Sequence, residues 1–558
     1  PERAFSVYPA NPWDILAITF TNKAANELKN RIIAKLGDKG NDIWAGTFHS
    51  ICARILRRYG DLIGYSSHFT IYDTDDQKKV VKDILKQLNI NEKELPPKYI
   101  LNEISRAKDS LITPEEYKAD ANKGFYPMKK SVAEVYLQYQ KRLKNADAMD
   151  FDDIITNTVT LFNEHPDVLD YYANKFKYIM VDEYQDTNHA QYKLVSLLAG
   201  VHQNICVVGD DDQSIYSFRG ATIENILSFE DNYPNAKVIR LEQNYRSTST
   251  ILDAANAVIA NNKGRKGKNL WTNLKDNSKI TINTLPTEQD EARYVAETIL
   301  SRVQKGEKFN NSAILYRMNA LSSTIENVFV RAGIPYRVVG GHRFFDRKEI
   351  KDVIAYLNVI NNPNDSVRLK RIINEPKRGI GDTTIKNAEE VADNLGISLF
   401  EVISNAADYP ILSRAAAKLD AFSKMVNELI DFSNELSLEE LFDKVLENSG
   451  YITALRAEGA ESADRVENVN ELRSGIINYQ NDAETPTLEE YLEEVALITD
   501  LDDYNEEDDY VVLMTLHSAK GLEFDNVFLV GVEENIFPGT QTMYAGEKEM
   551  EEERRLAY

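Results

Sequence analysis

The sequence predicts an α/β protein with two parallel sheets, each interrupted by a mainly helical insertion. The chain has 558 residues, and a single hydrophobic core stops growing at about 250–300 residues, so several domains are expected. Short apolar strands without polar alternation recur along the chain, which is typical of parallel sheets covered on both faces. Two long stretches between these strands, 71–148 and 349–500, have a mostly helical pattern.

Composition excludes several classes of protein. Hydrophobic residues make up 43% and charged residues 28% of the chain, as in globular proteins, and no apolar run reaches the roughly 18 residues that span a bilayer. Two cysteines, Cys52 and Cys206, cannot form a disulfide framework or a four-thiolate zinc site, and we expect both to be core residues in a reducing compartment. The net charge is −24, yet residues 1–60 carry a local excess of basic residues. A basic groove that binds nucleic acid is therefore compatible with the negative net charge of the whole chain.

The apolar strands fall into two sets. The first set is predicted at 15–20, 178–181 and 205–208, and the second at 238–241, 313–316, 511–514 and 527–530. We expect Asn22 to cap a helix that Gly37 ends. Because ligands of α/β proteins bind at the carboxyl ends of the strands, the polar residues there are the candidate site.

An acidic pair follows the predicted strand at 178–181. At such a strand end, one carboxylate can hold Mg²⁺ while another orients and deprotonates an attacking water, as nucleotide hydrolysis requires. Asp182 and Glu183 are the candidates for these roles. From the local sequence alone, acidic residues favoured by a helix macrodipole account for the pair equally well.

A polar and aromatic segment follows the predicted strand at 205–208. Gln213 is placed to hydrogen-bond a γ-phosphate. Tyr216, Phe218 and Arg219 combine two aromatic rings with a cation, which suits stacking on unpaired bases at about 1–3 kcal/mol per base. The alternative is a turn followed by core aromatics, which leaves the consecutive aspartates at 210–212 without a role.

Hydroxyl groups and single histidines stand at two other strand ends. Thr47 and His49 follow one another closely, and His517 lies in the segment after the strand at 511–514. Short donors at helix starts bind phosphates without reading sequence. A lone histidine at such a place is nevertheless more often structural, and the histidines show no metal-ligand spacing.

Two further segments carry weaker signals. Tyr245 and Arg246 suit base stacking and charge stabilisation during phosphoryl transfer, but this pair is common after strands. Gly379, Gly381 and Thr383 resemble the hairpin of a helix-hairpin-helix element, in which glycines let the backbone approach a phosphate. A plain turn between helices accounts for these residues as well.

The order of the motifs resembles that of the UvrD/Rep/PcrA family of superfamily 1 DNA helicases, and within it the bacterial PcrA-like members. The matching segments are ITFTNKAA at 18–25, GTFHS at 46–50, MDFDD at 149–153, VDEYQDT at 181–187, GDDDQSIYSFRGA at 209–221, LEQNYRS at 241–247, LHSAKGLEF at 516–524 and EEERRLAY at 551–558. Eight motifs in the family's order over 500 residues make a chance match implausible.

The resemblance implies two RecA-like P-loop NTPase domains with ATP between them. The first domain would comprise residues 1–70 and 149–244, with a helical insertion at 71–148. The second would comprise residues 245–340 and 505–558, with a helical insertion at 341–504. The family resemblance also implies ATP-dependent 3′-5′ helicase and single-strand translocase activity in DNA repair or replication, in the cytoplasm.

The resemblance further implies roles for single residues. Asp182 would position Mg²⁺ and Glu183 would activate water, while Gln213 and Arg246 would contact the γ-phosphate. ATP would also be contacted by Tyr245 and Glu523. The residues expected to bind DNA are Phe20, Asn22, Thr47, His49, Tyr216, Phe218, Arg219, Arg317, Asn319, His517 and the hairpin residues Gly379, Gly381 and Thr383. Expected partners are single-stranded DNA and single-strand/duplex junctions, with repair proteins or RNA polymerase as further family partners, and no membrane.

The sequence departs from the family pattern in three ways. It contains no G-x-x-x-x-G-K-[ST] motif, which in the family precedes the strand that begins here at Ile15. It ends at Tyr558, where the last motif would continue to an arginine, and Phe218 stands where a tryptophan is usual. We therefore expect these 558 residues to be truncated at both ends and to lack ATPase activity alone. The alternatives are an ATPase-inactive DNA- or partner-binding fragment and a helicase subunit of a recombination helicase-nuclease.

Overall fold

The computed structural model of the protein describes residues 10–123, 127–274, 278–339, 344–457, 463–483, 485–497 and 508–558. Within these ranges, ten strands form two four-stranded sheets and one two-stranded sheet. All of the strand pairs are parallel. The prediction of an α/β protein built on parallel sheets is confirmed.

The first sheet has the strand order β2–β1–β5–β6. Its strands are β1 (Ile15–Thr19), β2 (Trp44–Thr47), β5 (Tyr178–Val181) and β6 (Ile205–Val207). Ile18 of β1 pairs with Gly46 on one side and with Val181 on the other. The carboxyl ends of the strands therefore meet at one edge, which is called the cleft edge below.

Helices cover this sheet because their apolar residues recur at helical spacing. They are α1 (Asn22–Leu36), α2 (Phe48–Tyr59), α7 (Phe151–Glu164), α8 (Pro166–Lys175) and α9 (His189–Leu198). In α2, Phe48, Ile51, Cys52 and Ile55 form a buried stripe facing the sheet. The cap of α1 is Thr21, whose Oγ1 accepts a hydrogen bond of 3.2 Å from Ala24 N. The prediction that Asn22 caps this helix is wrong by one residue.

The first insertion is mainly helical, as predicted. It comprises β3 (Thr70–Tyr72), α3 (Thr74–Gln87), α4 (Pro97–Asp109), α5 (Pro114–Ala121), α6 (Pro127–Asn145) and β4 (Ala148–Asp150). Its two short strands pair with each other and close the insertion at its base. Lys108 is buried there between Asp150 and Asp153, at 2.6 and 2.8 Å, which fixes α4 to the start of α7.

The second sheet has the strand order β10–β7–β9–β8. Its strands are β7 (Ser312–Tyr316), β8 (Tyr336–Val338), β9 (Val511–Thr515) and β10 (Asn526–Leu529). Short helices α10 (Glu224–Leu227) and α11 (Phe229–Asn232) precede this lobe, and its helices are α12 (Ser249–Ile259), α13 (Glu288–Gln304), α14 (Ser322–Ala332), α24 (Thr540–Ala545) and α25 (Glu547–Ala557). The sequence pattern did not predict β8.

The second insertion is wholly helical in its described part. Its helices are α15 (Lys348–Asn361), α16 (Ser366–Ile372), α17 (Asp382–Leu395), α18 (Leu399–Ser404), α19 (Ala416–Ser433), α20 (Leu438–Ser449), α21 (Tyr451–Ala457), α22 (Ala463–Asp482) and α23 (Leu488–Leu497). They surround one apolar core that includes Tyr356, Phe422 and Phe442. The predicted helical stretch is therefore confirmed.

The two insertions contact each other through buried polar groups. The Tyr72 hydroxyl donates to Asp365 at 2.8 Å, and Asn362 Nδ2 donates to Thr70 Oγ1 at 3.0 Å. Arg368 pairs with Asp76 at 3.0 Å. Since buried polar groups must be satisfied, these bonds fix the two insertions in register.

Two predictions about apolar residues are wrong. Residues 238–241 form no strand, and Ile239 and Leu241 are 70% and 79% exposed. Cys206 is exposed rather than in the core. It lies in β6, an edge strand with one neighbour among the described residues. Apolar character predicts a strand or a core position only when other elements cover it.

Among the described residues, no helix combines the length and the apolar character that crossing a membrane requires.

Candidate nucleotide-binding and DNA-binding cleft

The acidic pair lies at the carboxyl end of β5. Asp182 N donates to Ile18 O at 2.9 Å, which holds the strand end against β1. Glu183 then adopts a left-handed conformation with φ of 50°, and its N–H donates to Asp182 Oδ1 at 3.0 Å. A positive φ at a non-glycine residue is uncommon and often marks a functional site.

Gln185 orients Glu183. Its Nε2 donates to Glu183 Oε2 at 2.6 Å, and its Oε1 accepts from Asp210 N at 2.9 Å. Gln185 is fully buried. One amide therefore links the end of β5 to the loop after β6. This residue was not a candidate from the sequence, although it stands inside the VDEYQDT motif.

Lys520 reaches the acidic pair from the second lobe. Its Nζ lies 3.2 Å from Glu183 Oε2, contacts Asp186 Oδ2 and donates to Gln213 O at 2.9 Å. Lys520 was not a candidate from the sequence either. Its side chain is 11% exposed, so this contact closes part of the interface between the lobes.

The turn that carries Lys520 also contacts Arg246. Glu523 Oε2 accepts from Arg246 Nε at 2.5 Å. Lys520 and Glu523 are three residues apart, so their Cα atoms are separated by at most about 11 Å. Glu183 and Arg246 therefore contact the same short turn, Glu183 through Lys520 and Arg246 through Glu523.

Burial and neighbouring charges shift the pKa values of three ionisable groups here. The pKa of Asp182 is raised because it is partly desolvated and Glu183 stands beside it. Burial raises the pKa of Asp186 to about 6, although Lys520 opposes this shift. Burial lowers the pKa of Lys520, but Asp186 and Glu183 outweigh it and raise the pKa above its usual value. The cleft thus contains strongly interacting charges that a bound ligand would rearrange.

The carboxylates fit a magnesium ion that is held mainly by a nucleotide. The described residues contain no cluster of three or more metal-ligating side chains. Mg²⁺ is commonly bound by one or two carboxylates together with phosphate oxygens and water. Asp182, partly exposed at the end of β5, offers one such carboxylate.

Aromatic rings from both lobes meet beside the cleft. The Tyr216 hydroxyl donates to His517 O at 3.1 Å, and the Phe218 ring lies edge-on to the His517 ring at 5.2 Å. Arg219 lies 5.6 Å above the Phe218 ring. Phe218 remains 59% exposed. The pKa of His517 is lowered to about 4 by burial and then by two neighbouring arginines, so its ring is neutral.

Two family models match the chain along nearly its whole length. A model of the UvrD/REP helicase N-terminal domain matches residues 5–234, and a model of the UvrD-like helicase C-terminal domain matches residues 239–558. The chain belongs to the UvrD/Rep helicase family. The resemblance inferred from the motifs is thereby confirmed, and the two sheets are those of two RecA-like lobes.

Several curated relatives are similar to this chain. ATP-dependent DNA helicase PcrA of Bacillus subtilis (strain 168) is 49% identical over 555 residues, which cover 98% of this chain and 75% of the relative. The PcrA helicases of Staphylococcus epidermidis (strain ATCC 12228 / FDA PCI 1200) and Staphylococcus aureus (strain MRSA252) are 47% and 46% identical over 552 residues, with the same shares covered.

The UvrD/Rep motif after β6 has a role that its sequence did not reveal. Asp210 contacts Lys268 and accepts from Gln213 Nε2 at 2.7 Å. Arg265 donates to both oxygens of Asp212, at 2.8 and 2.6 Å. The three aspartates therefore hold residues 265–268 against the loop. In this conformation, the amide of Gln213 is directed to Asp210.

The other nucleotide candidate, Tyr245, lies next to Arg246. Its side chain is 78% exposed, and its hydroxyl donates to Gln243 Oε1 at 2.9 Å. The ring therefore has a free face beside the cleft. It directly precedes Arg246, which contacts Glu523.

The first-lobe DNA candidates lie at the cleft edge. Thr47 caps α2, where its Oγ1 accepts from Ser50 N at 3.2 Å. His49 is half-buried against Phe151, with ring centres 5.4 Å apart, and desolvation lowers its pKa to about 4. The Phe20 ring is half-buried, and Asn22 begins α1. His49 is thus a neutral packing residue in this conformation.

The second-lobe and hairpin candidates have structural partners. Arg317 makes a two-pronged contact with Glu553, with Nε and Nη2 at 2.9 and 2.8 Å from Oε1. Asn319 begins the turn that precedes α14. Gly379 has φ of +69°, and its carbonyl accepts from Lys418 Nζ at 2.9 Å. Gly381 caps α17, which has Thr383 in its first turn. The hairpin lies in the second insertion, apart from the nucleotide candidates.

Proposed function

We propose that this chain forms the motor of an ATP-dependent 3′-5′ DNA helicase and single-strand DNA translocase. One observation carries the proposal: the turn from Lys520 to Glu523 contacts Glu183 on one lobe and Arg246 on the other. A ligand that entered between these charges would exchange partners with both lobes. Such an exchange couples ligand binding to lobe closure, because a ligand shifts the conformation with which it interacts better.

The residues of the cleft have distinct roles in this proposal. Asp182 would hold Mg²⁺, which neutralises charge on the phosphates of ATP when it is bound. Glu183, oriented by Gln185, would accept the proton of the attacking water. Gln213 and Arg246 would release Asp210 and Glu523 and turn to the γ-phosphate. Tyr245 would stack on the adenine and Glu523 would reach the nucleotide.

The DNA path would cross the cleft edge of both lobes. Phe218 offers its exposed ring to an unpaired base, and Tyr216, Arg219 and His517 support it. The path would also include Phe20, Asn22, Thr47, His49, Arg317 and Asn319. The glycine hairpin at 379–383 would contact duplex DNA at a single-strand/duplex junction. We further propose a role in DNA repair or replication in the cytoplasm, which rests on the family resemblance of the motifs.

A second proposal concerns the 558 residues by themselves. The sequence has no G-x-x-x-x-G-K-[ST] motif, so it lacks the backbone amides and the lysine that cradle the phosphates in P-loop enzymes. The absence of this motif favours a DNA-binding fragment without ATPase activity over an autonomous motor. The recombination helicase-nuclease alternative has no observation in its favour.

A strand-displacement assay tests the motor proposal. A segment containing G-x-x-x-x-G-K-[ST] is placed ahead of Pro1, and this protein is called the extended chain. The extended chain is expected to unwind a duplex with a 3′ single-stranded tail in the presence of ATP and Mg²⁺, and not one with a 5′ tail. Unwinding from the 5′ tail would contradict the polarity. ATP turnover by the 558 residues alone would contradict the second proposal.

A further inference from the structure

Three cations lie together at the edge of the first sheet where its strands begin, opposite the cleft edge. Arg54 and Arg58 are one turn apart on α2, and Lys175 is the last residue of α8. The Arg54 guanidinium and Lys175 Nζ lie 4.1 and 4.3 Å from the centre of the Trp44 ring. Arg58 lies 5.6 Å from the Tyr171 ring. Arg54, Arg58 and Lys175 are called the basic patch below.

The basic patch has no counter-ions in the part of the chain that the structure describes. Within that part, its three side chains form neither ion pairs nor hydrogen bonds. The pKa of Lys175 is lowered because it is partly desolvated and because both arginines stand beside it. Lys29 lies close by, and its pKa is lowered by burial and by Arg54, although the charge of Glu494 opposes this shift. Like charges are thus held together in a chain whose net charge is −24.

A neighbouring arginine on the same helix, unlike Arg54 and Arg58, has acidic partners. Arg57, between Arg54 and Arg58 in sequence, faces the second insertion, and its Nε lies 3.1 Å from Glu489 and 3.6 Å from Glu493. These acidic residues of α23 neutralise Arg57. The face of α2 that carries Arg54 and Arg58 has no such cover from the described residues.

We propose that the basic patch binds the phosphodiester backbone of DNA, as a second contact outside the cleft. The proposal builds on the DNA-translocating function proposed above. Arginine guanidinium groups bind phosphate oxygens in a fork, and lysine binds them as a point charge. Because Trp44 and Tyr171 already hold the cations in place, little side-chain freedom is lost when a phosphate binds.

The chemistry of the basic patch favours a backbone over bases and over a protein. Trp44 is 9% exposed beneath its two cations, so it offers no free face on which a base could stack. Protein interfaces have an apolar core, and the patch presents mainly charge. The contact would therefore depend neither on the base sequence nor on whether the DNA is single- or double-stranded.

The location of the basic patch separates it from the proposed DNA path. Trp44 begins β2, whereas Thr47 at the end of the same strand lies at the cleft edge. Lys175 lies just before β5, which ends next to Asp182. The patch would contact a different stretch of the bound DNA, or a second DNA molecule.

The salt dependence of DNA binding tests the basic patch. Fluorescence anisotropy on the 558-residue chain would compare the wild type with the triple variant Arg54→Gln, Arg58→Gln, Lys175→Gln, on single-stranded and on duplex oligonucleotides. Each phosphate contact contributes about 0.7–0.9 to the slope of log K against log salt. The slope is expected to fall in magnitude by about 2 to 3 on both DNAs.

Matched variants separate the basic patch from charge elsewhere on the surface. The triple variant Lys82→Gln, Lys98→Gln, Lys305→Gln removes three exposed cations that lie away from the patch. It is expected to keep the wild-type slope within about 0.5, since these cations make no phosphate contact. The double variant Arg54→Lys, Arg58→Lys keeps both positive charges and is expected to keep the wild-type slope. This expectation can be measured even if the Gln variant folds poorly.

The variant Phe218→Ala tests the cleft separately. An unchanged slope in the patch variant, with weaker binding by Phe218→Ala, overturns the patch and leaves the cleft proposal standing. The patch proposal is also overturned if the salt slope of the patch variant is unchanged and the wild-type chain instead binds an acidic protein through these cations. Normal binding by Phe218→Ala with a reduced slope in the patch variant supports the patch and contradicts the stacking role in the cleft.

Discussion

The two ends of α2 form unlike surfaces on one lobe. At its start, Thr47 caps the helix and His49 is half-buried and uncharged at the cleft edge. At its end, Arg54 and Arg58 are exposed on aromatic rings without counter-ions from the described residues. One helix thus carries a neutral, packed surface toward the cleft and a charged, uncovered surface away from it.

Cations differ in the same way between the two edges of the sheet. At the cleft edge, Lys520 contacts Asp186, Arg246 contacts Glu523 and Arg317 contacts Glu553. Those pairs join parts that are far apart in sequence. A ligand at the cleft edge must therefore exchange partners with existing ion pairs, whereas an anion at the basic patch displaces no partner that the structure describes. The difference indicates that only the cleft edge can couple binding to a movement of the lobes.

The largest expected effect comes from breaking the buried ion pair of the cleft. Lys520→Met leaves Asp186, which is 1% exposed, without its cation. Removing one partner of a buried pair costs about 3 kcal/mol or more. Urea unfolding followed by circular dichroism is expected to show that loss, and Lys520→Met with Asp186→Asn should recover most of it. If Lys520→Met alone is as stable as the wild type, the ion pair at the cleft edge does not stabilise the fold, and the contrast with the basic patch is wrong.

The next largest effect is a pH dependence of the free energy of unfolding, caused by His49 at the start of α2. The pKa of His49 is about 4 in the folded state because the ring is buried, against about 6.5 in the unfolded chain. The unfolded state therefore binds the proton first as pH falls, and stability contributed by His49 is lost below about pH 6.5.

The variant His49→Gln measures this contribution. Between pH 7 and pH 5, the free energy of unfolding of the wild type is expected to fall by about 2 kcal/mol more than that of the variant. His189→Gln, at an exposed position, serves as the control and should follow the wild type. Parallel pH profiles for the wild type and His49→Gln would contradict the buried, neutral state of this ring.

The smallest expected effect is on the exposed pair of the cleft. The side chains of Arg246 and Glu523 are 59% and 68% exposed, and exposed ion pairs contribute about 1 kcal/mol or less. Arg246→Ala is expected to lower the free energy of unfolding by less than that, and high salt should abolish the difference. A loss above about 2 kcal/mol would show that this contact within the second lobe stabilises the fold more than an exposed ion pair does.

Much of the fold could be predicted from local pattern. The apolar runs at 178–181, 313–316 and 511–514 make up most of three strands, and both helical insertions have clear helical spacing. The failures have one cause. Val238, Ile239, Leu241 and Cys206 are apolar, but whether they are buried depends on which other elements cover them.

The candidate site was predictable in type and less so in detail. The motif order indicated Asp182, Glu183 and Arg246, and in the structure the turn at 520–523 contacts both Glu183 and Arg246. Their catalytic roles stay predictions. Gln185 and Lys520 were missed because their roles depend on partners 25 and 334 residues away. The aspartates at 210–212 pair with a segment more than 50 residues later, which no local rule could indicate.

The rate of ATP hydrolysis by the extended chain, with and without single-stranded DNA, tests the central claim most directly. The account predicts that DNA stimulates hydrolysis when residue 183 is glutamate, and that Glu183→Gln abolishes turnover while the affinity for DNA stays within about twofold, since glutamine keeps the shape but cannot accept the proton. Undiminished DNA-stimulated turnover by Glu183→Gln would contradict it.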